Sequence, residues 1–144
     1  MANANDRWSA IPSVFGEFLG MAVSRAGAMW VADSTPPYSL LRIGVNGRTD
    51  RYYVDFAPFE MVIGADGALY VGSYGLVARV ETGGGKAVRG LYVVHYLPGG
   101  GDASGSLALA SDGNVWFTEG AVAQEYVAKI ATDGTITEYT VVGA

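Results

Sequence analysis

The chain has 144 residues, half of them hydrophobic and 16% charged, with a net charge of −5, 21 glycines and no cysteine. That length suits one ordinary domain with an ample core, and the missing cysteines exclude disulfides and thiolate metal sites. The acidic balance argues against a general nucleic-acid surface, which carries a basic face, and no apolar run approaches the roughly 18 residues of a membrane span.

Taken in order, residues 1 to 6 are polar, and the opening MANANDRWSAIP lacks the basic start and apolar run of an export signal. The expectation is therefore a cytoplasmic location by default. Arg7 to Ile11 predicts a short strand within an N-terminal segment 1–18, in the place of a blade's outer strand. From Leu19 onward, short β-branched and aromatic runs alternate with glycine turns, and no amphipathic helix is evident.

The last stretch, Ser106 to Val142, is the clearest. Asp112-Gly113 and Asp133-Gly134 predict two-residue hairpin turns with positive φ at both central positions. They flank Val115 to Thr118 and Tyr126 to Ile130, and Thr135 to Val142 continues in the same style. The unit is strand, turn, strand, longer loop, strand, turn, strand, one four-stranded antiparallel meander.

Two earlier stretches fall on the same template. The column Trp30, Tyr70, Trp116 is aromatic each time and predicts a buried position between neighbouring sheets. The preceding turns are Ala26-Gly27, Asp66-Gly67 and Asp112-Gly113, and the later ones Asn46-Gly47, Gly84-Gly85 and Asp133-Gly134. A basic column, Arg42, Arg79 and Lys129, reads as a recurring solvent-facing position. The expected fold is all-β, with three blades at about 19–58, 59–105 and 106–144.

With MWVADS, LYVGSY, NVWFTEG and KIATDGTITEY in register, residues 19 to 142 resemble the blades of NHL-type and virginiamycin B lyase-like β-propellers. The resemblance implies a propeller fold. It implies no one function, since such blades serve enzymes, binding platforms and structural proteins. Virginiamycin B lyase-like enzymes use crossover histidines with a glutamate and Mg²⁺, and the equivalent crossover places here hold Leu19, Phe59 and Gly105. The single histidine, His95, is too few for that mechanism. Gly83-Gly84-Gly85-Lys86 lacks the spacing of a phosphate loop and reads as a hairpin turn.

The tight turns share one end of the blades, so a site belongs at the other, on the second loops and the crossovers. The ligand-binding candidates there are Asp33, Glu60, Ser73, Tyr74, His95, Asp102 and Glu119, with Glu17 also on a crossover. The crossover His95 to Gly105 is either a surface excursion or a binding element. Converging carboxylates such as Asp33, Glu60 and Glu119 would take Ca²⁺ or Mg²⁺, but their columns do not repeat the same chemistry, and no catalytic residue or cofactor is assigned. The leading expectation is a non-enzymatic binding or structural module that oligomerises, as a homodimer, into a closed six-bladed ring, with a fragment of a longer propeller or an open arc packed on another protein as the alternative assemblies. It binds a protein or small molecule, with no nucleic acid and no membrane. The alternative is a metal-dependent lyase- or hydrolase-like propeller enzyme.

Overall fold

The computed structural model of the protein describes residues 17–82, 92–103, 105–120 and 125–142. Their strands form three four-stranded antiparallel sheets, each a simple meander in sequence order. Blade 1 comprises β1 (Phe18–Val23), β2 (Met29–Asp33), β3 (Ser39–Ile43) and β4 (Thr49–Tyr53). Blade 2 comprises β5 (Met61–Ile63), β6 (Leu69–Ser73), β7 (Leu76–Val80) and β8 (Tyr92–Tyr96). Blade 3 comprises β9 (Leu107–Leu109), β10 (Val115–Gly120), β11 (Glu125–Ile130) and β12 (Ile136–Thr140). The expected strand Arg7 to Ile11 and the turn at Gly83 to Lys86 lie outside the described residues.

The turns differ from expectation in one respect. Among the described residues only glycines have positive φ, including Gly27, Gly47, Gly67, Gly113 and Gly134. Gly67 N–H bonds the Gly64 carbonyl and Gly64 N–H bonds that of Ala68, so the loop has three residues, a type I turn ending in a left-handed glycine. The aspartate stays at negative φ and uses its carboxylate instead. Asp66 Oδ1 accepts the Ala68 N–H at 3.1 Å, as Asp112 does for Asn114 and Asp133 for Thr135.

Residues opposite each other in a ladder share a face. Trp30 pairs with Arg42, Tyr70 with Arg79 and Trp116 with Lys129, so the aromatic and basic columns are one feature of each forward face. The arginines are not the solvated positions expected. The Arg42 and Arg79 side chains are only 19% and 21% exposed. Arg79 is held by Asp66 and Glu81.

Two cores form between the blades. Trp30, Ala32 and Leu40 of blade 1 meet Met61, Leu69, Val71, Ala78 and Val80 on the rear face of blade 2. Tyr70 and Val77 on the forward face of blade 2 meet Val115, Phe117, Ala128 and Ile130 of blade 3. Trp30 and Tyr70 are each 1% exposed, as the aromatic column requires. Trp116 is half-buried, because no further described blade packs on blade 3. It stacks on Tyr139 at 5.5 Å with Lys129 Nζ 5.4 Å from its ring centroid.

Candidate functional site

The end of the blades opposite the tight turns gathers the second-strand termini and the crossovers. Asp33 closes β2, almost fully buried, and its partners come from its own blade. Oδ2 accepts from Arg51 Nη1 at 2.6 Å and Oδ1 from the Thr35 N–H at 3.1 Å, while Arg51 also donates to Ser39 Oγ at 2.7 Å. Ser73, the equivalent residue of blade 2, is buried, and its carbonyl accepts the Ala103 N–H. Glu60 is half-buried at the entry to β5, its carbonyl accepting the Gly72 N–H.

Around Glu119 the crossover from blade 2 to blade 3 draws several candidates together. Asp102 forms isolated bridges with both Tyr74 and Gly120, and its Oδ1 accepts the Gly75 N–H at 3.1 Å. Tyr74 is largely exposed and packs edge-on against Phe59. Glu119 is 2% exposed. Its Oε1 accepts the Gly101 N–H at 3.0 Å, while Oε2 is buried without a hydrogen-bond partner. Glu138 on β12, at a position that no repeating column marks, accepts the Gly99 N–H at 2.8 Å. The two carboxyls converge on this crossover: a Cβ built on Gly99 would lie 3.2 Å from Glu119 Oε1 and 3.3 Å from Glu138 Oε2. Glycine is needed at position 101 as well, where a Cβ would come within 2.6 Å of Glu119 Oε1.

Burial pushes the Glu119 carboxyl above its usual range, the negative charges of Glu138 and Asp102 add to the rise, and the Gly101 N–H offsets part of it. The charged form of Glu119 is thus disfavoured in this setting. The ladder register sets Glu138 across from Ala128 and Phe117, one step from Glu119 on the same face.

His95 is not on a crossover. It lies within β8, and its ring covers Gly134, leaving no space there for a Cβ. Burial, then the charge of Arg79, lowers its pKa. Asp33, Glu60 and Glu119 belong to three different blades, and among the described residues no group of three or more His, Asp or Glu is placed to hold a metal ion.

No family model matches the sequence, and no curated relative does. Solved structures do match. A streptogramin B lyase superposes with a TM-score of 0.78 at 20% identity, over 92% of this chain and 43% of the other. Virginiamycin B lyase from Staphylococcus aureus gives 0.76 at 23% identity, over 91% and 43%. The fold is that of β-propeller blades. A gluconolactonase from Xanthomonas campestris follows with a TM-score of 0.64 at 17% identity, over 85% of this chain and 46% of the other. The chain thus spans less than half the length of each of these propellers. At these identities the likeness speaks for the fold, and the catalytic constellation of a propeller enzyme has to be sought in the residues themselves.

Proposed function

We propose that the chain is a non-enzymatic module whose blades assemble, with a second copy, into a closed ring serving as a binding or structural platform. The observation that carries this reading is how the polar groups at the crossover end are used. Asp33 is paired with Arg51, Asp102 tethers the Gly75 N–H, and Glu119 and Glu138 tether Gly101 and Gly99. These four carboxylates hold the blades and their crossover in place, and an active-site acid or base must instead reach a substrate. Phe59 and Gly105 ahead of their first strands, and Leu19 at the equivalent place within β1, offer neither proton transfer nor a metal ligand through their side chains.

The competing reading, a metal-dependent lyase or hydrolase, draws on the names of the solved structures of like fold. Purified chain incubated with Mg²⁺ and a streptogramin B antibiotic, or with a sugar lactone, separates the two. No ring opening above the protein-free rate is expected. Mg²⁺-dependent turnover that survives repurification and is abolished by Glu119→Gln would replace this reading with the enzymatic one. Sedimentation of the same sample should give twice the 15.0 kDa chain mass.

A further inference from the structure

Two surfaces inside the chain show how one blade receives the next, and blade 3 presents the receiving surface again. On blade 1 it is built on Trp30 and Tyr52, whose ring centroids are 5.8 Å apart, and it is covered by Met61, Leu69 and Val71 of blade 2. The ladder register places Trp116 and Tyr139 at the same two positions of blade 3. Tyr139 is 44% exposed.

The crossovers repeat in the same way. The segment entering blade 2 passes over blade 1 at Gly20 and Ser34: a Cβ on Gly20 would strike the Phe59 carbonyl oxygen, and Ser34 Oγ donates to the Pro58 carbonyl. The segment entering blade 3 passes over blade 2 at Gly72, Ser73 and Tyr74, where Ala103 N–H bonds the Ser73 carbonyl and Asp102 bridges Tyr74. The corresponding place on blade 3 is a groove of about 370 Å³, lined by Thr118, Gly120, Val127 and Val141 among others.

The chain also carries a surface of the kind that would fill it. On blade 2 the rear-face residues Met61, Leu69 and Val71 do the packing, and their register equivalents on blade 1 are Met21, Met29 and Val31. Met21 and its neighbour on that face, Val23, are 61% and 59% exposed, and Met29 and Val31 are half-buried.

The geometry points to a head-to-tail contact between two copies, in which Trp116, Tyr139 and the Thr118 groove of one chain receive Met21, Met29 and Val31 of the other. Glu17 to Leu19 of the second copy, equivalent to the segment that ends at Phe59, enters the groove. Because each chain has both surfaces, one two-fold operation makes the contact twice and leaves no open blade face. This rests on the assembly reading above and adds which faces meet.

The experiment uses two variants at exposed positions, Thr118→Arg on the forward face and Met21→Arg on the rear, in the full chain. Each is first checked for unchanged circular dichroism and melting, then sedimented from about 1 to 100 µM, a range suited to a stable interface. Each alone should weaken dimerisation at least about tenfold, the scale of losing one well-packed contact. An equimolar mixture should recover association, because the mixed dimer keeps one contact with neither substitution. A wild-type monomer throughout this range overturns both the contact and the assembly reading. A wild-type dimer indifferent to Met21→Arg, or a mixture that fails to recover, overturns the head-to-tail contact and leaves the assembly reading standing.

Discussion

Arg51 and Glu138 hold the same place in their blades and act in opposite ways on the carboxylate beside them. Arg51 on β4 pairs with Leu41, and Glu138 on β12 with Ala128, so each stands diagonal to the acid at or next to the end of the second strand, Asp33 or Glu119. In blade 1 the result is a short, nearly buried ion pair. In blade 3 it is two carboxyls facing one crossover, one of them with a buried oxygen lacking a partner.

The ion pair gives the first prediction. Arg51→Ala leaves the Asp33 carboxylate buried with only Ser39 and the Thr35 N–H as partners, and should cost about 3 kcal/mol, the low end for breaking a buried pair. The double variant Asp33→Asn with Arg51→Ala should recover most of that loss. Denaturant melts of the four proteins in a double-mutant cycle test it, and simple additivity would show that the pair is not coupled.

The carboxyl pair gives the second. With Glu119 raised above the ordinary value of 4.5 in the folded chain, the folded state holds a proton that the unfolded state releases first. The stabilising contribution is complete below that ordinary value and is lost as pH rises through the raised one. Glu119→Gln keeps an acceptor for Gly101 and adds a donor toward Glu138. It should flatten the pH dependence above 4.5 and stabilise the chain at neutral pH by roughly 1–3 kcal/mol, the scale of satisfying a buried polar group. Thermal melts from pH 4 to 8 of the two proteins, on the order of the span where a raised carboxyl titrates, provide the check.

The third prediction separates the two tryptophans of the aromatic column. Trp30→Ala opens a cavity in the blade 1–blade 2 core and should cost roughly 3–5 kcal/mol. Trp116→Ala removes a half-buried ring whose contacts are Tyr139 and Lys129, and in monomeric chain at low concentration should cost about half as much. In the assembled state the gap should narrow, which urea titrations at two protein concentrations would reveal.

Much of the fold was legible because the blades repeat. The Trp30, Tyr70 and Trp116 column, the turn glycines and the second-strand ends all emerged from aligning the chain with itself. What repetition hides is the exception. Glu138 sits where the other blades carry Arg51 and Val94, so no recurring column draws attention to it. Its meaning depends on the crossover that folds back over blade 3, a contact without periodicity. The glycine-rich run from His95 to Gly105 predicts a crossover that includes His95, yet β8 runs on to Tyr96 by pairing with Leu76. The basic column appeared solvated because charge on strands usually is, whereas here each arginine lies across from an aromatic ring that the next blade covers.

The last prediction concerns the joint between blades 2 and 3. Gly72 lies in β6 without a positive φ, so its glycine is required by space and not by backbone conformation. A Cβ there would strike the Ala103 carbonyl oxygen and come within 3.0 Å of Leu107 Cδ1. The oxygen is backbone in a segment fixed by the Ala103 N–H to Ser73 bond, so it can yield only by lifting the crossover, which also strains the Asp102 bridges. Gly72→Ala should therefore destabilise by roughly 2–3 kcal/mol, the upper part of the range for overpacking. At Gly105 a Cβ would meet the Thr118 hydroxyl, the end of a side chain that can rotate, so Gly105→Ala should cost less, about 1 kcal/mol. Chemical denaturation of the two variants tests the ranking, and hydrogen exchange should show faster opening at Ala103 and Gly120 in Gly72→Ala alone. Equal losses in the two variants would mean that the crossover is not the rigid element of this joint.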